Sequence, residues 1–262
     1  MSTPHAAPPQ GPSPGRRAGA VLRFPLGVLL VSWQYLWRVT ALHRSETPGD
    51  ADDLPPRLAE HLTDEWSKPL SDGVGPMFRR RFAVRIEGAA MTPEELMEAV
   101  AANLNRVAPS TVAVFHKTRG KAGPPCEGDE YRVQMPGPWD GPVRVLHCDA
   151  TSFRLGTLRG HLEAGQIQFS ARTAEDGLLE FRTEAWSRAG DRLADLLYSR
   201  LRVAKEMQFN MWVHFCLRAA AVAGGRVVGG VRIDTRSIPE ELCRRGTSDA
   251  ADAADAAGAA GG

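Results

Sequence analysis

Apolar and polar positions change period several times along the chain, and the order of those changes predicts an architecture. Phe82, Val84 and Ile86 alternate with Arg81, Arg85 and Glu87, the pattern of a strand with one wet face. Thr92-Pro93-Glu94-Glu95 then supplies an N-cap, a first-turn proline and a capping-box glutamate, and Leu96, Val100, Leu104 and Val107 follow at helical spacing. Extended runs come next at residues 111–117, 130–135, 143–158, 166–173 and 178–187. Glu175-Asp176-Gly177 marks a hairpin turn between the last two, so the runs read as an antiparallel meander. The 143–158 run is too long for one strand, and a turn at 149–152 is expected to split it. A long helix then runs from about Asp191 to about Ala223, where Gly224-Gly225 stops it. Leu193, Leu197, Leu201, Ala204, Gln208, Met211 and Phe215 share one of its faces. Such a helix spans roughly 50 Å, more than a flat sheet can cover, so the sheet must curl around it. The expected class is therefore α+β, a curved antiparallel sheet of six or seven strands around a long C-terminal helix.

The flanks read differently. Residues 1–20 are Pro/Gly-rich and expected to be a disordered tail, and 21–44 form an amphipathic helix. In that helix Leu22, Leu26, Leu29, Trp33 and Leu36 lie together, against a polar stripe of Arg23, Gly27, Gln34 and Arg38. It either docks on the protein's own surface or lies in a membrane interface through residues 22–38, with Trp33, Tyr35 and Trp37 at headgroup depth. A cleaved signal peptide is a third reading, but the apolar run is shorter than the ~20 residues of a membrane span. Residues 45–76, rich in Pro, Asp and Gly, read as a connecting arm. The folded domain is placed at 77–235, and 236–262 is read as a low-complexity, disordered tail.

Charge and cysteine usage narrow the function classes. Across 262 residues, 32 Lys and Arg nearly cancel 31 Asp and Glu. No global field therefore recruits nucleic acid. Cys126, Cys148, Cys216 and Cys243 have neither CxxC spacing nor the density of a disulfide scaffold, which fits reduced thiols and a cytoplasmic, possibly membrane-peripheral, location. No nucleophile elbow or phosphate-binding loop occurs, and Gly224-Gly225 and Gly229-Gly230 follow a helix, the reverse of a dinucleotide fingerprint, so no cofactor is expected.

A resemblance adds to this order of elements. The run Phe153-Arg154-Leu155-Gly156-Thr157-Leu158-Arg159-Gly160-His161-Leu162-Glu163-Ala164-Gly165 is similar to the central signature of an uncharacterised bacterial and plant family of the START-like superfamily, whose members adopt the helix-grip fold. Ala185-Trp186-Ser187-Arg188 and Gln208 resemble later family elements, and Trp33 to Arg38 with Leu42-His43-Arg44 resembles a feature of actinobacterial members. Arg159 and Leu162 stand where the family pattern carries prolines. The likeness spans about residues 78–223 and implies a fold with a cavity, without implying a reaction.

The candidate chemistry follows from that cavity. Tyr131, Phe169, Phe181 and Trp186 on the strands, with Met211, Trp212 and Phe215 on the helix, are its expected walls, and Gln208 and His214 its polar groups. Arg188, at the end of a strand, would orient a ligand carboxylate at the mouth. His161 and Glu163, held by turns around Gly156, Gly160 and Gly165, are the candidate acid/base pair of a cyclase- or hydratase-like enzyme. His147 and Asp149 share a strand face but lack a third ligand, so no metal is expected. Three classes result: a binder of an apolar small molecule or lipid, an enzyme built on His161 and Glu163, and a membrane-peripheral scaffold working through its N-terminal helix.

Overall fold

The computed structural model describes residues 41–109, 113–134, 140–190 and 203–243, with the backbone alone for 203–208. The protein is α+β, a large curved open sheet of nine strands with few helices. The strands are β1 (Leu42–Pro48), β2 (Val74–Glu87), β3 (Val114–Arg119), β4 (Glu130–Gln134), β5 (Asp140–Cys148), β6 (Ser152–Thr157), β7 (Glu163–Thr173), β8 (Leu179–Ala189) and β9 (Arg226–Ile238). Their order across the sheet is β1-β9-β2-β8-β7-β6-β5-β4-β3. The run from β3 to β8 is the meander expected from the sequence, with every neighbouring pair antiparallel.

The strand count exceeds the six or seven expected, and the two additions lie at one edge. β2 to β8 are the seven strands legible in the pattern; β9 and β1 extend the sheet beyond β2, and β1 pairs with β9 in parallel. Leu42, His43 and Arg44 thus open a strand where the helical pattern of the N-terminal segment was expected to end. β9 carries Gly229 and Gly230 at positive φ beside a register shift against β2, a bulge that masks its period. The chain stays structured past 235: Ile238 and Cys243 are buried.

Helices α1 (Pro93–Ala102) and α2 (Leu104–Val107) follow β2. Thr92 and Glu95 form the anticipated capping box, and Asn103 breaks the helix in two. Asn105 then clamps β3, accepting from the Phe115 N–H at 2.7 Å and donating to its carbonyl at 2.9 Å. Helix α3 (Val203–Val222) lies against β2, β8 and β9 and ends at Gly224, whose φ of 73° suits the left-handed stop. It is not the terminal element, because β9 follows it. Its expected first turns, 191–202, and the amphipathic segment 22–38 lie outside the described residues.

Strand alternation gives the sheet two unlike faces. The inner face bears α1, α2 and α3 over Phe82, Val84, Ile86, Phe153, Leu155, Phe169, Phe181, Val231 and Ile233, all essentially buried. The outer face is crossed by residues 49–73, a strap of three short 3-10 turns instead of a free arm. The strap carries seven carboxylates against Arg57 and Lys68, and it meets arginines of the sheet. Arg79 pairs with Asp53 and, at 2.6 Å, with Glu184. Arg144 pairs with Asp64 at 2.8 Å and Glu130 at 2.7 Å, and donates to the Leu62 carbonyl. The Lys68 N–H donates to the Thr157 carbonyl, and the Thr157 hydroxyl donates back to the Lys68 carbonyl.

Candidate functional site

Inner-face positions of β6, β7 and β8 place three phenylalanines where α3 crosses them. The Phe153 and Phe169 rings stack with centroids 4.9 Å apart, and Phe215 lies 4.8 Å from Phe169 and 6.1 Å from Phe181. Trp212 reaches the same cluster edge-on, 5.7 Å from Phe169. Met211 and Tyr131 are buried in this core as well, and His214 is half-buried on α3. Burial raises the Tyr131 phenol, with the Lys117 ammonium 5.4 Å from its ring acting to lower it. The structure therefore gathers Phe169, Phe181, Met211, Trp212, Phe215 and Tyr131 into one apolar body. Gln208 falls in α3, with its side chain outside the described residues.

Two expected members are placed elsewhere. Trp186 points to the outer face, packed with Met77, Ile238 and Cys243 beneath Leu54 and Leu70 of the strap. The reason is parity: Phe181 and Trp186 are five residues apart on one strand, so their side chains leave opposite faces. Arg188 shares the outer side and is 2% exposed. It donates to the carbonyls of Gly75 at 2.8 Å and Leu70 at 3.0 Å and pairs with Glu240 at 2.8 Å, so it fastens strap to sheet instead of lining a mouth.

His161 and Glu163 also stand apart from the aromatic cluster. Nδ1 of His161 accepts from the Glu163 N–H at 2.9 Å, so the imidazole is held by the backbone of Glu163. Burial lowers the imidazole's affinity for a proton, the Glu163 charge acting against it and Lys68 with it. Lys68 Nζ donates to the His161 carbonyl at 2.7 Å, binding this turn to the strap. Glu163 and Phe169 are six residues apart on β7, about 20 Å along the strand. Gly165 lies between them where a Cβ would come within 1.9 Å of the Trp186 carbonyl oxygen, so its family-like glycine serves a close backbone approach.

The His147–Asp149 pair forms a local turn. Asp149 accepts from the N–H groups of Thr151 and Ser152 at 2.8 and 2.7 Å, from the Ser152 hydroxyl at 2.9 Å, and contacts His147 Nε2 at 2.9 Å. Burial pushes its carboxyl up, yet these bonds prevail and hold it down at about 2. Among the described residues, no three His, Cys, Asp or Glu side chains are grouped to hold a metal. Burial drives the Cys216 thiol up to about 12, a structural thiol on the inner face. No helix of the described residues is long and apolar enough to cross a membrane.

Two inner-face groups escaped the sequence reading. Arg80 is 1% exposed, with its guanidinium 4.7 Å from the Phe78 ring and 5.6 Å from Phe209. Counting back by twos from Phe82 would have placed it there. Thr183 is fully buried, between Phe82 of β2 and Phe169 of β7 in register. Among the described residues, its Oγ1 finds no partner better than the Cys216 thiol, and the Trp212 Nε1 is buried without a hydrogen-bond partner. The parity of Thr183 was legible; the missing partner was not.

Among curated proteins, no relative matches the sequence. Solved structures similar to this one include Ara h 8.0201, at 12% identity over 56% of this chain and 97% of that one, TM-score 0.38. A hypothetical protein from Helicobacter pylori matches at 9% identity over 54% of this chain and 87% of its own, TM-score 0.41. A norcoclaurine synthase point mutant from Thalictrum flavumn matches at 9% identity over 54% and 96%, TM-score 0.35. The model of the family described as Domain of unknown function (DUF1990) matches residues 73–229, from the end of the strap through β2, the meander and α3 into β9. The chain belongs to that family of unknown function.

Proposed function

We propose that this protein binds an apolar small molecule or lipid between the inner face of the sheet and α3, as a carrier or sequestering module. The observation that supports this reading is the pair of buried polar atoms, Trp212 Nε1 and Thr183 Oγ1, which among the described residues have no oxygen or nitrogen partner beside the aromatic cluster. Buried polar groups are almost always satisfied, and a bare one costs about 1–3 kcal/mol. An interior built only to be filled with side chains would place phenylalanine and valine there. A ligand that enters among Phe153, Phe169, Phe181 and Phe215 gains from apolar burial and gives those atoms a partner. An acid/base role for His161 and Glu163 has less support, since His161 is turned to the backbone beside the strap.

Native mass spectrometry of the full chain, purified without organic solvent, tests the proposal. The expected result is a protein-bound small-molecule mass, lost on solvent extraction and absent from Met211→Trp, whose added bulk beside Trp212 would compete with the ligand. Thermal unfolding of the extracted protein should rise when the ligand is returned, as mass action requires. No bound mass, with no thermal shift across a panel of fatty acids, sterols and polyketides, removes the proposal.

A further inference from the structure

The chemistry of these two buried polar atoms says what the bound molecule carries. Thr183 sits on β8 between Phe82 and Phe169, and these two neighbours touch Phe209 and Trp212 of α3 at centroid distances of 5.4 and 5.7 Å. Thr183 therefore lies beneath the stretch of α3 from Phe209 to Cys216. Trp212 sits one turn before Cys216 on that stretch, and the Cys216 sulfur makes a weak hydrogen-bonding contact with Thr183. A thiol sulfur is only a weak acceptor, so it leaves the hydroxyl available to a better one. Both side chains are more than nine-tenths buried, Trp212 at 7% exposure and Thr183 at 0%.

An indole nitrogen only donates, and a threonine hydroxyl donates as readily as it accepts. Two donors brought to the same part of an apolar interior suit one acceptor oxygen with two lone pairs. A carboxylate is a poor match for these two donors, since neither carries a charge to offset its desolvation, and the Arg80 guanidinium of the same face lies over the Phe78 and Phe209 rings. A plain hydrocarbon would leave both donors bare.

We infer that the ligand is a neutral apolar carbonyl compound, such as a ketone, ester or quinone, whose oxygen accepts from Trp212 Nε1 and the Thr183 hydroxyl between β8 and α3. The inference rests on the carrier reading of this interior and names its ligand class. Binding involves no covalent step. The two residues determine specificity, by rejecting a molecule of equal shape that lacks the oxygen.

A matched pair of rigid probes, 9-fluorenone and fluorene, tests it by titration calorimetry of the extracted full chain. The expected result is that 9-fluorenone binds about tenfold tighter than fluorene. Trp212→Phe and Thr183→Val should each reduce that ratio to within about twofold, chiefly by weakening 9-fluorenone. Thermal unfolding shows that each variant is folded, and the near-isosteric Thr183→Val supplies the result if the helix variant is not. Equal affinity for the two probes in the wild type overturns the carbonyl inference and leaves the carrier reading standing, with a water alone filling the role of partner. Binding of neither probe overturns the inference; only the absence of any co-purified molecule together with no thermal shift across the ligand panel also ends the carrier reading. A wild-type preference that survives both substitutions places the oxygen elsewhere and overturns the assignment.

Discussion

The two faces of the sheet come from the same strands and are held by different forces. On the inner face, Phe153, Phe169, Phe181, Trp212 and Phe215 lock together through area and ring contact. On the outer face, strap and sheet are joined by arginine forks: Arg79 on Asp53 and Glu184, Arg144 on Asp64 and Glu130, Arg188 on the Leu70 carbonyl. The inner face is non-directional and tolerates a guest of suitable shape; the outer face is directional and tolerates little displacement. Under the proposed function, ligand binding belongs to the inner face, while the outer face holds the strap.

The largest effect should come from the inner face. Phe169→Ala removes a ring that touches Phe153, Trp212 and Phe215, and should cost about 3–5 kcal/mol in denaturant unfolding. A cost no greater than that of the outer-face variants would break the contrast. Arg144→Met comes next. It removes the donor that Arg144 supplies to Asp64, Glu130 and the Leu62 carbonyl, and about 1–3 kcal/mol should be lost. The sharper readout is limited proteolysis, which should cut the variant within residues 57–68 first while wild type resists; equal resistance would show that Arg144 does not hold the strap.

Asp149→Asn probes a third kind of tie, a turn fixed by charge. The folded carboxyl sits at about 2, below its ordinary value of 3.8, so ionised Asp149 favours the folded state at neutral pH. That contribution is complete above about pH 4 to 5 and disappears as pH falls from there towards 2. The variant should therefore unfold at a lower temperature than wild type at pH 7, and the gap should close on acidification; a gap that widens in acid contradicts the assignment. The smallest effect belongs to Arg226→Ala. Its pair with Glu87 is exposed on both sides, and unfolding measurements should find a change within about 0.5 kcal/mol.

Much of the architecture is legible in the order of the amino acids. The alternation in β2, the capping box of α1, the hairpin turn at Asp176-Gly177 and the stop at Gly224 each depend on neighbours in the chain, so local chemistry determines them. Period two also held information that the residue types concealed: it places Trp186 and Arg188 opposite Phe181, and Arg80 beside Phe82. An aromatic residue suggests a pocket wall, but its parity decides which face it joins.

The remainder needed contacts between distant residues. Nothing near Leu42 or Arg226 in sequence announces that β1 and β9 pair, since a parallel partner lies far along the chain. The strap reads as an arm because its turns are short and its charges look solvated; Arg79, Arg144 and Arg188, supplied from β2, β5 and β8, together with the Lys68–Thr157 bonds, turn it into a fastened layer. The sequence alone determined which segments became strands and helices and which residues could be buried. Tertiary structure decided which buried residues meet and that, among the described residues, the Trp212 Nε1 is left without a partner and the Thr183 hydroxyl with a thiol alone, because a missing hydrogen bond is a property of the whole surrounding shell and of no single residue.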